Sequence, residues 1–351
     1  MNDKSNPGAR LLSPELTPRA LVEHLDHYVI GQDDAKRIVA VAVYSHFKKI
    51  AAANRSQVSI AKSNILLIGS SGTGKTLLCE TLSRVLDVPF VTAEATSLAQ
   101  TRFVNDEIEA ILQRLVDKAG GDIERGQCGI VFIDEIDKLK APTDGRPHAA
   151  SGESVQHALL KIMEGAPVKL SDGRYVDTTN VLFVCGGAFV GLEQIISQTH
   201  NYGFISTSAT FDQNKARILD RLNTRVKPTD LFTFGLIPEF TGRLPIIARF
   251  RDLDRAMLVR IMTQPKDSIY RQFCEIFRSE GVELEIEPKV FDQISELALE
   301  YHTGARSLRG IFEELIAPLL YVLPDERDIE KVVFTSLFEV PIVTRRATDA
   351  A

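Results

Sequence analysis

Residues 69–76 have the types and spacing of a phosphate-binding loop. They fit the pattern G-x-x-x-x-G-K-[ST] at every position and lie between a short aliphatic run and a predicted helix that opens at Leu77. In such a loop the glycines let backbone N–H groups surround phosphate oxygens, Lys75 places its ammonium on the β and γ oxygens, and the Thr76 hydroxyl is a Mg²⁺ ligand. The sequence therefore predicts binding of ATP with Mg²⁺. The predicted nucleotide-binding residues of this segment are Gly69, Ser70, Ser71, Gly72, Thr73, Gly74, Lys75, Thr76 and Leu77.

Two adjacent acids follow a second aliphatic run, residues 129–133. Asp134 is expected to hold Mg²⁺, directly or through water, and Glu135 to polarise the attacking water. A hydrolase needs this second acid, whereas a small-molecule kinase does not. Together with the phosphate loop, the pair predicts hydrolysis of ATP.

The elements that position these residues can be predicted from the hydrophobic pattern. Residues 63–68, 129–133 and 180–185 read as strands buried on both faces, and helical patterns such as residues 106–118 lie between them. Alternating strands and helices predict an α/β fold with a parallel sheet and helices on both faces. After about residue 250 the pattern becomes mostly helical, with one or two small strands near residues 282–286.

The expected organisation is a flexible segment at residues 1–17, a large ATPase domain at 18–250, a small helical domain at 251–340 and a tail at 341–351. ATP is expected to bind between the two domains.

Composition excludes several classes of protein. Charged residues make up 25% and hydrophobic residues 44% of the chain, which indicates an ordinary globular protein rather than a disordered one. The net charge of −6 gives no global positive field, so nucleic acid or membrane binding is not expected. The start of the chain does not resemble a signal peptide, and a cytoplasmic location is expected. The four cysteines are widely spaced, without a C-x-x-C pair, and are expected to be buried free thiols.

Several sequence words together resemble the ClpX family, the AAA+ unfoldases of the Clp protease, over residues 18–333. The words, in chain order, are Tyr28-Val29-Ile30-Gly31-Gln32, the phosphate loop, Ile133-Asp134-Glu135-Ile136-Asp137-Lys138, Cys185-Gly186-Gly187-Ala188-Phe189, Gly235-Leu236-Ile237-Pro238-Glu239-Phe240, Gly242-Arg243-Leu244-Pro245 and Thr303-Gly304-Ala305-Arg306. The resemblance implies a P-loop AAA+ large domain followed by a smaller helical domain.

The resemblance also implies roles for residues outside the phosphate loop. Val29 and Ile30 match the lining of the adenine pocket. Arg243 matches the arginine finger that reaches the γ-phosphate of the neighbouring subunit, and Arg306 matches the sensor that closes the helical domain over the nucleotide. A guanidinium suits both roles, since it is always charged and binds phosphate oxygens bidentately. A finger supplied in trans requires a ring, so a homohexamer is expected.

Three features depart from the family pattern. Phe103 and Val104 match the aromatic pore loop that grips a translocating polypeptide, but Arg102 and Asn105 replace its glycines. An alternative for Phe103 is simple packing under the following helix. The peptidase-docking Ile-Gly-Phe tripeptide of the family corresponds here to Tyr202-Gly203-Phe204. The family's N-terminal zinc module has no counterpart in residues 1–17, so no zinc is expected.

The predicted function is therefore an ATP-dependent unfoldase that threads polypeptides through a hexameric pore for a ClpP-like peptidase. One alternative keeps the motor and drops the peptidase, giving a protein remodeller. A nucleic-acid motor of the AAA+ class is a further alternative, which the net charge of −6 disfavours. A nucleotide-binding protein without hydrolysis is disfavoured because Lys75, Asp134, Glu135, Arg243 and Arg306 occur together.

Overall fold

A computed structural model describes residues 16–53, 62–101, 103–140, 152–200 and 225–346. The chain divides into two compact units. The first contains the residues up to 21 together with 34–69 and 79–249, and the second contains 22–33, 70–78 and the residues from 250 onward. Each unit has its own hydrophobic core.

The helices and strands up to residue 249 follow the predicted alternation. In chain order they are α1 (Pro18–Asp26), α2 (Asp33–Ala53), β1 (Ile65–Ile68), α3 (Lys75–Leu86), β2 (Phe90–Glu94), α4 (Ala95–Gln100), α5 (Val104–Lys118), α6 (Ile123–Gln127), β3 (Ile130–Asp134), α7 (Gly152–Glu164), β4 (Pro167–Lys169), β5 (Tyr175–Asp177), β6 (Leu182–Gly187), α8 (Leu192–His200), α9 (Pro228–Phe234), α10 (Pro238–Gly242) and β7 (Ile246–Arg249). Short 3₁₀ helices cover Ile136–Leu139 and Thr178–Asn180.

The first unit is built on a parallel sheet with the strand order β2-β3-β6-β1-β7. Its register places Ile65 of β1 beside Val184 of β6 on one side and Ile246 of β7 on the other. Every residue of β1 is buried, and successive side chains of a strand point to opposite faces, so both faces of the sheet are covered. The predicted α/β fold is confirmed.

The carboxyl ends of the parallel strands bring the polar segments to one edge of this sheet. β1 ends at Ile68, directly before the phosphate-loop motif, and β3 ends at Asp134. The N–H of Gly69 donates to the carbonyl of Gly187 (3.1 Å), which extends the ladder between β1 and β6 by one further bond. This edge is where open α/β sheets bind ligands.

The second unit is mostly helical, as predicted, with a small sheet. Its elements after residue 250 are α11 (Arg255–Thr263), α12 (Ile269–Ser279), β8 (Glu283–Ile286), α13 (Pro288–Glu300), α14 (Arg306–Val322), β9 (Ile329–Phe334) and β10 (Ile342–Arg345). Phe273, Phe277 and Phe312 lie at its core. The sheet has the order β10-β9-β8, with β8 parallel and β10 antiparallel to β9.

The last strand differs from the expectation for the C-terminal segment. Residues 342–345 fall within the predicted tail, yet Val343 pairs with Val332 of β9 and packs partly against the core. The tail assignment does not hold for these residues, because they continue the small sheet.

The cysteines are free thiols, as expected, but only two are fully buried. Cys79 and Cys185 are buried, whereas Cys128 and Cys274 are half-buried. Burial raises the pKa of the Cys185 thiol to about 12, so this side chain is not a reactive thiolate. None of the helices in the described ranges combines the length and apolar composition needed to cross a bilayer.

Candidate nucleotide site and substrate-facing residues

The phosphate loop is folded around the carbonyl of Ser70. The Lys75 ammonium donates to this oxygen (2.9 Å), and so does the Thr73 hydroxyl (2.8 Å). Helix α3 begins at Lys75, so the loop lies directly before a helix N-terminus, which carries partial positive charge. Lys75 is only 7% exposed, and a buried ammonium beside a helix N-terminus is suited to binding an anionic phosphate group.

Two glycines of the loop adopt backbone conformations that other residues rarely adopt. Gly72 has φ +77° and Gly74 has φ +96°. A Cβ on Gly72 would lie 2.5 Å from the carbonyl oxygen of Thr303 and 2.9 Å from the nitrogen of Ala305. Only glycine fits there, because both neighbours are backbone atoms.

The segment that contains Arg306 packs against the same loop. Gly304 has φ +61°, and a Cβ on it would lie 2.7 Å from the carbonyl oxygen of Ser71. Arg306, two residues later, is the first residue of α14 and is exposed. The backbone contact between these two glycine-containing segments therefore brings the predicted sensor residue close to the phosphate loop.

Apolar side chains also lie beside the loop. Val29 and Ile30 are 4% and 8% exposed, and Val29 Cγ1 is 3.9 Å from the position of a Cβ on Gly74. An apolar wall next to a phosphate loop suits a flat aromatic base, which is the role that the resemblance implies for these two residues.

Gln32 contacts both the phosphate loop and Arg251, which lies just before the helices at the C-terminal end of the chain. Its side-chain amide donates to the carbonyl of Arg251 (2.8 Å) and accepts from the Arg251 N–H (2.8 Å). The same Nε2 lies 3.5 Å from the carbonyl oxygen of Thr73. Gln32 is only 5% exposed, so these bonds are shielded from water.

The two acids at the end of β3 are held by hydrogen bonds. The N–H of Glu135 donates to Asp134 Oδ1 (2.9 Å), and the Thr96 hydroxyl donates to Glu135 Oε2 (3.2 Å). Glu135 has φ 58° and ψ 31°, in the left-handed region, where a residue other than glycine costs about 1–3 kcal/mol. Such strain is typical of functional residues. Thr96 is an ordinary hydroxyl residue 39 positions away from Glu135 and belongs to no motif that identifies it from the sequence.

A third acid of the motif at residues 133–138 makes a structural contact. Asp137 is 4% exposed, and its Oδ2 accepts from the N–H of Phe189, which has φ 52°. A Cβ on Gly187 would lie 2.6 Å from Asp137 Oδ1. Asp137 therefore fixes the turn that follows β6 and explains the glycine at its end.

Arg243 lies at the C-terminal end of α10, in an ion pair. Its Nη2 is 2.5 Å from Oε1 of Glu164, the last residue of α7, and the two side chains are 53% and 42% exposed. The buried side chain of Asn64 donates to the carbonyl of Arg243 (3.2 Å). Neither Glu164 nor Asn64 was identified from the sequence.

Phe103 is exposed at the start of α5. It is the N-cap residue of this helix, and 67% of its surface is accessible, so the alternative of packing under the helix is wrong. Its N–H donates to the Thr101 hydroxyl (2.8 Å), which orients the residue before Val104. An exposed phenylalanine at a helix start is available to contact another molecule.

Two further predictions concern residues outside the described ranges. They are the docking residues Tyr202, Gly203 and Phe204, and the pore-loop residue Arg102. These assignments stay predictions.

The donor chemistry fits magnesium bound through a nucleotide. In the parts of the chain that the structure describes, no group of three or more His, Cys, Asp or Glu side chains could hold a metal ion. Magnesium usually keeps several water and phosphate ligands and takes only one or two from the protein. The predicted donors, the Thr76 hydroxyl and the Asp134 carboxylate, are hard oxygen ligands of the type that it prefers. A Cβ at Gly186 would lie 3.2 Å from Asp134 Oδ1, so the missing side chain leaves room beside this carboxylate.

Family models match both parts of the chain. The model for the AAA domain (Cdc48 subfamily) matches residues 60–247, and the model for the C-terminal, D2-small domain of ClpB protein matches residues 253–334. The first match covers more than half of the chain. Together they confirm a P-loop AAA+ architecture and its ATPase activity.

Curated relatives resemble the chain over most of its length. The ATP-dependent Clp protease ATP-binding subunit ClpX 3 of Methylococcus capsulatus is 41% identical over 95% of this chain and 83% of the relative. Proteins called ATP-dependent Clp protease ATP-binding subunit ClpX from Azotobacter vinelandii and Borrelia duttonii are 43% and 41% identical, over 90% and 91% of this chain and 76% and 77% of their own lengths. This chain therefore belongs to the ClpX family of AAA+ ATPases, the ATP-dependent protein unfoldases.

Proposed function

We propose that the protein pulls polypeptides through the pore of a homohexameric ring, driven by ATP hydrolysis. The observation that carries this proposal is the exposure of Phe103 at the start of α5. An aromatic side chain can grip a polypeptide of any sequence, because contact with the ring requires no specific partner group. Val104, the next residue in the chain, is half-buried and would add to this apolar surface.

In this proposal the phosphate loop binds ATP and the end of β3 supports hydrolysis. Lys75 contacts the β and γ oxygens, while Val29 and Ile30 contact the adenine. Magnesium, when bound, offsets the negative charge of the phosphates, and Thr76 and Asp134 are its proposed protein ligands. Glu135 accepts a hydrogen bond from water and orients it for attack. The hydroxyl of Thr96, 3.2 Å from the Glu135 carboxylate, supports its position.

The two arginines act on the phosphates in different ways. Arg243, half exposed, is proposed to contact the nucleotide of the neighbouring subunit. Arg306 is proposed to contact the nucleotide of its own chain, and the packing of Gly304 against Ser71 supports this. Both roles use a charged group that stabilises negative charge on phosphate oxygens.

The relatives are named as subunits of the Clp protease, and on that basis we propose a ClpP-like peptidase ring as the partner of this protein. The proposed contact is Phe204 in residues 202–204. Tyr202, where the family has isoleucine, favours the second candidate, a remodeller that works without a peptidase. Co-sedimentation with a ClpP ring separates the two. Binding that Phe204→Ala abolishes supports the peptidase partner, and absence of binding by the wild type supports the remodeller.

The test of the main proposal is ATP-dependent unfolding of a folded fluorescent protein that carries an unstructured tail. Wild type should abolish the fluorescence only with ATP, and Phe103→Ala should lower the rate of loss at least several-fold. Tyr321→Ala is the matched control, because Tyr321 on α14 is also highly exposed (85%) but lies far along the chain from the proposed pore loop. Equal unfolding rates for Phe103→Ala and wild type would refute the proposed grip.

A further inference from the structure

Arg243 forms an ion pair with Glu164 of its own chain, and one buried side chain, Asn64, contacts the backbone near both residues. Arg243 Nη2 is 2.5 Å from Glu164 Oε1. The side-chain amide of Asn64, which is 1% exposed, donates to the carbonyl of Arg243 (3.2 Å) and to that of Met163 (3.2 Å), the residue before Glu164. One buried amide therefore fixes the backbone at both ends of the ion pair.

The side chain of Asn64 is in turn held by a hydrogen bond to the sheet. Asn64 lies one residue before β1, and its Oδ1 accepts from the N–H of Phe183 in β6 (3.4 Å). The chain from Arg243 enters β7 three residues later, and Ile246 of β7 pairs with Ile65 of β1. The positions of the two charged side chains are thus set by the central strands.

Glu164 is an unusual residue at its position unless it has a partner. It ends α7, where the partial negative charge of the helix C-terminus disfavours an acidic side chain. An exposed ion pair also contributes little to stability. These two facts argue against a purely structural reason for the carboxylate and direct attention to its effect on Arg243.

We infer that Glu164 is a positioning residue for Arg243, whose guanidinium it holds in one place for contact with the nucleotide of the neighbouring subunit. This inference rests on the proposed function of Arg243 as a finger acting in trans. A free arginine side chain on a surface samples many rotamers, and an ion pair to one end restricts that freedom. Within the described residues the ion pair uses only Nη2, so the other N–H groups of the guanidinium can bind phosphate oxygens.

Steady-state kinetics give the first test. Glu164→Ala should lower kcat about 5–10-fold and leave the KM for ATP within about twofold, because the residue acts on the transition state through Arg243 and not on ATP binding in its own subunit. Glu164→Gln keeps an oxygen acceptor and should fall between wild type and alanine. Glu275→Ala is the control, since its ion pair with Arg278 has the same 2.5 Å distance on an exposed helix, and it should not change kcat. Wild-type kcat in Glu164→Ala would overturn the inference.

Mixed rings give the second test. A merely structural defect in the Glu164→Ala subunits would not be relieved by neighbouring subunits of another variant. The Glu135→Gln chain should not hydrolyse ATP but still offers an intact Arg243 to its neighbour. Adding it to Glu164→Ala chains should raise the rate per Glu164→Ala subunit at least about twofold, because some of these subunits then receive a well-held finger. No increase, with mixed rings verified by affinity-tag capture, would mean that the Glu164 defect lies in its own subunit and would overturn the inference.

Arg243→Ala in the same mixtures separates this inference from the proposed function. If Glu135→Gln chains restore hydrolysis to Arg243→Ala subunits, the finger in trans stands, and the Glu164 results decide the inference alone. If they restore none, the trans role of Arg243 fails, and the inference fails with it. Thermal unfolding of Glu164→Ala within about 2 °C of wild type is expected, because an exposed pair contributes little stability. A much larger loss would assign Glu164 a structural role and overturn the inference.

Discussion

Replacement of Gly304 by alanine should disturb the phosphate loop, whereas the same replacement at Gly310 should not. Gly304 has φ +61°, and its added Cβ would lie 2.7 Å from the carbonyl oxygen of Ser71 and 3.3 Å from Gly72 Cα. Gly310, only six residues later in α14, has nothing within 4 Å of the corresponding position. The two substitutions add the same methyl group to the same unit of the protein, which makes them a matched pair.

The magnitudes follow from the backbone geometry. The left-handed conformation at Gly304 costs alanine about 1–2 kcal/mol. In addition, the Cβ contact with Ser71 must open from 2.7 Å to an ordinary 3.4 Å, so one of the two backbone segments must move by roughly 0.7 Å. At Gly310, alanine should instead stabilise the helix by about 1 kcal/mol. The free energies of unfolding of the two variants should therefore differ by about 2–3 kcal/mol, with opposite signs relative to wild type.

Displacement of the loop should also weaken nucleotide binding. A shift of this size should reduce ATP affinity at least about tenfold, or about 1.4 kcal/mol. The assays are titration with a fluorescent ATP analogue and guanidinium unfolding, performed on wild type and both variants. Wild-type affinity and stability in Gly304→Ala would refute the close approach of residues 303–305 to the phosphate loop.

Three other predictions test separate parts of the account. Glu135→Gln should keep ATP affinity within about threefold but lower phosphate release at least about 100-fold, and steady turnover at the wild-type rate would rule out its assigned role. Asn64→Ala should lower the free energy of unfolding by about 3 kcal/mol, because it leaves two buried backbone groups, the Met163 carbonyl and the Phe183 N–H, and the part-buried Arg243 carbonyl without their side-chain partner, and an unchanged denaturation midpoint would contradict this. Burial lowers the pKa of His46 to about 4, with smaller contributions from Lys62 and Lys49 and an opposing one from the Asn180 carbonyl. Because the pKa of His46 in the folded protein lies below the unfolded value of 6.5, protonation of this side chain disfavours folding. The free energy of unfolding is therefore unaffected by His46 above pH 6.5 and falls by up to about 3 kcal/mol as the pH falls toward 4. His46→Gln should reduce this pH dependence in denaturant titrations, and an identical slope of the free energy of unfolding against pH in both proteins would refute the prediction.

In the five-stranded sheet, the strands that the sequence revealed and those that it did not differ in burial. β1, β3 and β6 are central, so each is an unbroken aliphatic run. β2 and β7 are the edge strands of the sheet and are only partly buried, so they lack this pattern and were not predicted. β10 was missed for the same reason, because most of its residues are exposed at the edge of the small sheet.

A similar distinction applies to the site residues. Lys75 and Glu135 were predictable because each belongs to a motif made of residues that are adjacent in the sequence. Their supporting residues are distant in sequence: Thr96 lies 39 positions from Glu135, and Asn64 lies 179 positions from the Arg243 carbonyl that it contacts. Such partners are ordinary polar residues until the fold brings them together. Glu164 had one detectable sign, an acidic residue at the end of a helical pattern, where the helix dipole disfavours it.

The central claim is that ATP hydrolysis is coupled to a polypeptide that Phe103 contacts. The most direct measurement compares ATP hydrolysis by wild type and Phe103→Ala, with and without an unfolded model polypeptide. The account predicts that the polypeptide stimulates wild-type hydrolysis and that Phe103→Ala retains basal hydrolysis but loses the stimulation. Hydrolysis that is indifferent to both the polypeptide and Phe103 would contradict a polypeptide-pulling motor.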